Sequence, residues 1–257
     1  MRHYLACLFV VLIFHISYPQ AESSFRAGEW LKFKLSYSGW FKAGYSTLEV
    51  KNSTYKNNPV YHVIGKGWTT GAIKFFFKVD DRYESYFDKQ SLKPYKFIRK
   101  IYEGGHIKNR IIHFDYEKNL AHVDDLKTGV KKSLSIQSDI QDMLSSYYYL
   151  RDNYDTNNIE VGSSIELKMF FDYEIYNFKL KFLGHDKIKT KFGYIKCLKF
   201  RPYVVADRVF KEEESLTLWI SADRNKVPLK IKADLRVGSL IADLDSYRGL
   251  KHQLETQ

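Results

Sequence analysis

The chain has 257 residues, with 41 Lys plus Arg against 30 Asp plus Glu and a formal net charge of +11. Apolar residues make up 44% and charged residues 28%, and there are only 5 Pro and 14 Gly, so disordered, collagen-like and low-complexity classes are excluded. Aromatic residues reach 16%, which calls for a large aromatic core or an aromatic binding surface.

The first segment reads as an export signal. Arg2 and the α-amino group supply a positive start, Tyr4–Ile16 is an apolar run broken late by His15, and residues 17–21 form a polar exit ending in Ala21. The run is shorter than the roughly 20 residues that span a bilayer. Cleavage after Ala21 divides the chain into a signal peptide, 1–21, and a single β-rich domain, 22–257. Pro19 is a poor neighbour for the cut, which keeps an uncleaved anchor open. Cys7 precedes the apolar run instead of following it, which argues against lipidation. Cys197 is then the lone cysteine of the exported domain and makes no internal disulfide.

Beyond the signal the dominant pattern is alternation with period two, the mark of a half-buried strand. Leu31, Phe33, Leu35 and Tyr37 alternate with Lys32, Lys34 and Ser36. The same rule places Ile73, Phe75, Phe77 and Val79 on a core face, then Ile165, Leu167, Met169, Phe171 and Tyr173. It also places Phe178, Leu180 and Phe182, then Leu216, Leu218 and Ile220, and finally Leu229, Ile231, Ala233 and Leu235. Turns are expected at Ser38-Gly39, Asn57-Asn58-Pro59, Gly104-Gly105, Glu117-Lys118-Asn119, Gly162-Ser163, Asp186-Lys187 and Asp223-Arg224-Asn225. The spacing implies about ten to twelve strands joined as hairpins in an antiparallel sheet, curved as a half-barrel or open barrel.

One segment changes period. In Ser138–Arg151 the residues Ile140, Met143, Leu144, Tyr147 and Leu150 recur at steps of three and four, so they share a helix face. Ser138 and Gln141 have the spacing of a capping box. With no second helix in sight, this stripe must cover the concave face of the sheet, either as a plug or as a lid over a ligand site. Met143, Leu144, Tyr147, Tyr148 and Leu150 are the ligand-facing candidates. Tyr147, Tyr148 and Tyr149 suit a rim, with apolar rings and polar tips.

Catalytic motifs are missing: the chain carries no G-x-S-x-G elbow, P-loop, H-E-x-x-H or paired C-x-x-C. Gly65–Gly71 is glycine-rich with the wrong spacing for a dinucleotide fingerprint, and it reads as a loop. Cys197 lies on a strand pattern as a small buried apolar residue. A hairpin turning at Glu117–Asn119 would bring His113 and His122 together, a weak metal candidate that a one-residue slip would undo. No cofactor is expected. Lys187, Lys189 and Lys191 share one strand face within a lysine-rich stretch, either a solvated face or one drawn to an anionic surface. Nucleic acid is not an expected partner for an exported chain.

Several stretches in order resemble the bacterial family catalogued as domain of unknown function 3108. They are Gly28 to Phe33 continuing through Trp40–Gly44, then Val79–Tyr86 with Leu92-Lys93-Pro94. Asp139–Arg151 follows, and last comes Leu216–Ser221 with Asp223–Pro228. The resemblance implies an exported envelope protein with no catalytic residues to carry over. A second likeness is architectural, to the periplasmic lipoprotein-carrier fold. The leading expectation is a non-enzymatic binder or carrier of an apolar or amphipathic ligand in the periplasm or cell envelope. A module docking on an envelope partner or a membrane surface, and a hydrolase with a dispersed site, stay open.

Overall fold

The structure is a computed structural model and describes residues 23–156, 158–205 and 216–257. The export signal at 1–21 lies outside the described residues. Eight strands come first: β1 (Trp30–Tyr37), β2 (Phe41–Tyr55), β3 (Asn58–Thr69), β4 (Asp80–Asp88), β5 (Pro94–Glu103), β6 (His106–Asp115), β7 (Leu120–Asp125) and β8 (Lys131–Ser135). A single helical turn, α1 (Ile73–Phe76), sits between β3 and β4, and the helix α2 (Met143–Asn153) follows β8. Six more strands follow among the described residues: β9 (Ser164–Phe171), β10 (Glu174–Thr190), β11 (Gly193–Val205), β12 (Leu216–Ser221), β13 (Pro228–Asp234) and β14 (Ser239–Arg248).

All fourteen strands form one antiparallel sheet in the order β8-β7-β6-β5-β4-β3-β2-β1-β14-β13-β12-β11-β10-β9. It exceeds the expected ten to twelve strands. The first eight strands run outward from the middle to one edge. The chain then crosses through α2 to the other edge and returns, so that β14 closes against β1. The ladder is not closed, since β8 and β9 are edges. The wings nevertheless curl together: Phe170 of β9 meets Phe114 of β6 edge-on, at 6.1 Å between ring centroids. Gln141 bridges to β9 through Gln141 N–Lys168 O and Phe170 N–Gln141 O bonds of 2.9 and 2.8 Å.

The turns follow local chemistry. Gly104 and Gly105 both hold positive φ, 55° and 94°, the geometry a two-residue hairpin with the right twist requires. Lys56 and Asn57 make the other such turn, and Asn58 and Pro59 already belong to β3, one residue beyond the expected break. Gly65–Thr69, expected in a loop, continues β3, and only Gly71 turns away, with φ of 58°. Asp186-Lys187 is not a turn. It lies inside β10 opposite Cys197 and Lys196, and the Asp186 carboxylate accepts the Trp219 indole N–H at 2.9 Å. The chain reverses instead just before Gly193, whose φ is 114°.

Three burial expectations are corrected. Phe75 and Phe77 are not core residues: they are 89% and 52% exposed, because residues 73–76 form α1 beyond the end of β3, and the Phe77 ring lies only against Gly104 of the neighbouring turn. Leu235 lies past the end of β13 in an exposed turn. Phe170, on the polar side of the alternation, is fully buried, because curling brings edge strand β9 against β6.

The main core packs Phe25, Val50, Val63, Phe87, Phe97, Ile112 and Val123 around Leu144 and Tyr148 of α2. A second cluster joins Leu31, Phe33, Leu229 and Leu244 to Ile195, Cys197 and the tail residues Leu250 and Leu254. A third sets Leu150 and Tyr154 against Phe182, Phe200 and Leu198. Strand connections alternate between two ends of the sheet. The connections at 38–40, 70–79, 104–105, 126–130, 172–173 and 235–238 all fall at one end, here called the rim.

Candidate functional site

The helix starts four residues later than its sequence pattern suggests. Ser138 and Gln141 are not its cap; Gln141 is used in the bridge to β9, and Asp142 takes the N-cap with an extended backbone. Its carboxylate accepts from Leu144 N and Ser145 N, both at 2.8 Å, while Ser145 Oγ accepts from Asp142 N at 2.9 Å. Ser85 Oγ of β4 donates to the same carboxylate at 2.5 Å. Complete burial pushes the Asp142 pKa up to about 6 against the pull of these donors.

The other end of α2 is locked by charge. Arg151 donates to both Glu29 oxygens, at 2.6 and 2.9 Å, and both side chains are essentially without solvent contact. The guanidinium also donates to Asn225 O at 2.7 and 3.0 Å and to Ser24 O at 3.1 Å, so most of its donors are satisfied. Burial works against the charged form, but Glu29 outweighs it and holds the Arg151 pKa above its usual value. Phe25, Tyr147 and Tyr148 flank the guanidinium at 5.4–5.5 Å. A helix tied at both ends is a fixed part of the fold.

α2 does not cover the whole inner face. Leu35, Ala242, Ile231 and Leu218 are successive cross-strand partners on β1, β14, β13 and β12. Leu218 continues to Phe200, which packs on Tyr154 just after α2, so the row lies on the helix side of the sheet. All four are half-buried. Toward the rim the next row, Tyr37, Leu240, Ala233 and Leu216, is half-buried or exposed. Gly67 on β3, paired with Ser46, faces open space, whereas Gly65 two residues below abuts Leu144. The inner wall is therefore filled beside α2 and open above it.

Charges tie the opposite wing shut. Asp172, in the β9–β10 turn with φ of 56°, pairs with Arg99 at 2.8 Å, Lys108 at 2.7 Å and Arg110 at 2.9 Å. Arg110 also holds Asp125, whose pKa falls to about 2 although burial opposes the shift. Nearby Asp81 is pushed up to about 6 by burial and by Glu103. Each cation here is matched to a carboxylate in a structural tie.

A family model described as "Protein of unknown function (DUF3108)" matches residues 32–245. The chain belongs to the DUF3108 family. No curated protein matches it in sequence. Among solved structures it is similar to a beta-barrel-like protein of the domain of unknown function DUF1849 from Brucella abortus. That likeness has a TM-score of 0.59 at 10% identity and covers 87% of this chain and 98% of the other. A DUF1089 family protein from Pseudomonas aeruginosa is 10% identical, with a TM-score of 0.36 and coverage of 81% and 92%. The first likeness shows the fold alone.

Within the DUF3108 domain the sequence-named residues separate. Leu144 and Tyr148 are core, and Tyr148 is fully buried, so it does not stand on a rim. Met143, Tyr147 and Tyr149 pack partly buried against the same core, and Leu150 against the third cluster. His113 and His122 are direct partners across the β6–β7 hairpin, as the turn implied. However, His113 Nδ1 is engaged with Tyr55 Oη at 2.9 Å and His122 Nδ1 with Ser133 Oγ at 2.8 Å. Among the described residues no group of three or more His, Cys, Asp or Glu is arranged to hold a metal. Lys187, Lys189 and Lys191 are all exposed, at the end opposite the rim. Lys191 pairs with Asp245 at 2.9 Å, and Lys187 lies over the Tyr194 ring. Cys197 is buried, and burial pushes its thiol up to about 11. Sequence reasoning missed the partly open wall and the Glu29–Arg151 lock. Leu218 and Ile231 were visible as core-facing positions, but their half-open state depends on where α2 stops.

Proposed function

We propose that this protein is an exported, non-enzymatic cell-envelope binder that holds an amphipathic, lipid-like molecule on the inner wall of its sheet. The observation that carries this reading is the half-buried apolar row Leu35, Ala242, Ile231 and Leu218, left uncovered by α2 and continuing toward the rim. An acyl chain laid across these strands would complete the burial that the helix leaves unfinished, and its polar head would stay toward the open end. The lock on α2 supports a rigid wall over a moving lid, so Met143, Leu144, Tyr147, Tyr148 and Leu150 serve by shaping the site's floor. Native mass spectrometry of protein purified from the envelope, followed by lipid extraction, tests the reading. A bound species in the range of a lipid mass is expected, and it is lost in Ile231→Glu. A ligand-free wild type, or a species unchanged in Ile231→Glu, refutes it.

A further inference from the structure

Among the described residues, every exposed large apolar side chain except Val161 and Tyr194 lies at the rim end of the sheet. Trp40 is 78% exposed, Phe75 and Phe76 are each 89% exposed, and Val237 is 76% exposed. These residues come from three connections that touch one another. Tyr37 Oη donates to Val237 O at 2.7 Å, and Ser38 N donates to Ser239 O at 2.7 Å. Thr70 N donates to Ala43 O at 3.0 Å. They form one continuous surface over the tops of neighbouring strands β3, β2, β1, β14 and β13.

The charges on the three connections themselves have one sign, and the exposed Asp80 and Asp234 flank them at the strand ends, Asp234 paired with Lys232. Segments 38–43, 70–79 and 235–238 contain Lys42, Lys74, Lys78 and Arg236 and no acidic residue. All four are exposed. A water-facing turn gains nothing from two almost fully exposed phenylalanines on a single helical turn with no buried residue. Aromatic side chains ringed by lysine and arginine match the chemistry of a bilayer interface, where rings enter the headgroup region and cations meet anionic lipid.

We infer that the rim docks on an anionic membrane surface through Trp40, Phe75, Phe76 and Val237, with Lys42, Lys74, Lys78 and Arg236 on the headgroups. This goes beyond the ligand proposed above and stands whether or not the inner wall is occupied. The surface differs from the lysine face at residues 187–191, which lies at the opposite end.

The test is co-sedimentation of the purified protein with vesicles of phosphatidylglycerol and phosphatidylethanolamine, against phosphatidylcholine alone. Binding is expected to the anionic vesicles and to weaken with salt. Trp40→Ala with Phe75→Ser and Phe76→Ser should lower the partition coefficient by about tenfold or more, and so should neutralising Lys42, Lys74 and Lys78. All these side chains are exposed, so the variants should unfold at the wild-type temperature. Neutralising Lys187, Lys189 and Lys191 should leave binding in place. Three results overturn the inference: equal binding to both vesicle types, binding that survives the rim variants, or no vesicle binding, in which case dispersal of a self-associated form by the same variants assigns the rim to a second copy of the chain. Vesicle binding by a protein that carries no lipid in the mass measurement upholds the docking and refutes the ligand.

Discussion

Glu29→Gln removes one charge from the pair that anchors α2 and changes almost no volume. Glu29 and Arg151 have no solvent to fall back on, and the two contacts are short, at 2.6 and 2.9 Å. Removing one partner of such a pair costs about 3–5 kcal/mol, because the remaining charge stays buried without its counter-charge. Here the guanidinium keeps Asn225 O and Ser24 O, which favours the lower end of that range. In a domain of this size about 3–5 kcal/mol corresponds to a fall of about 6–20 °C in melting temperature. Circular dichroism melts and urea titrations measure both quantities. The double replacement Glu29→Leu with Arg151→Met should recover much of the loss, since it leaves no orphaned charge. The reasoning is refuted if Glu29→Gln costs under about 1 kcal/mol, or if the double variant is no more stable than the single one.

Asp142 has its folded pKa raised from 3.8 to about 6, so its protonated form is favoured by folding. Its contribution is complete below about pH 4 and is lost as pH rises through about 6. Asp142→Asn, still able to cap, should flatten that part of the stability–pH curve in urea titrations at several pH values. Phe87→Ala, within the main core, should cost about 3–5 kcal/mol by urea titration, whereas Phe77→Ala at the rim should cost well under that. Cys197 should resist iodoacetamide at pH 8 in the folded protein and react on unfolding, read by intact mass, because its thiol is buried and its pKa is near 11. Chelator treatment should leave the melting temperature unchanged, since among the described residues His113 and His122 are not joined by further ligands into a group of three or more that could hold a metal.

Much of the sheet was legible because alternation and hairpin turns are local. The His113–His122 pairing came out because a four-residue turn at 116–119 sets the register of its own hairpin. Residues 73–79 were misread for a physical reason: an Ile-Lys-Phe-Phe-Phe-Lys-Val run alternates equally well when nothing covers it, and only the end of β3 at Thr69 reveals the rim. The cap was misplaced because Ser138 and Gln141 satisfy the spacing rule, but Gln141 is recruited by β9, and Asp142 with Ser145 takes over. Glu29 and Arg151 lie 122 residues apart, a pairing that no local pattern encodes. The inner wall was invisible for the same reason, since burial at Leu218 and Ile231 is set by a helix from another part of the chain.

The ladder between β1 and β14 pairs Trp30 with Arg248 and places the first and last strands side by side in the middle of the sheet. A ribosome or an export channel releases β1 first, and it must wait for almost the entire chain before its second neighbour exists. Until then one flank of β1 is a bare row of amide and carbonyl groups, open to any passing strand. A polypeptide cut short before residue 239 keeps that flank open permanently. Such fragments should aggregate or be degraded instead of persisting as half-domains, and native folding should be a late, slow and all-or-none event governed by the arrival of the final strand.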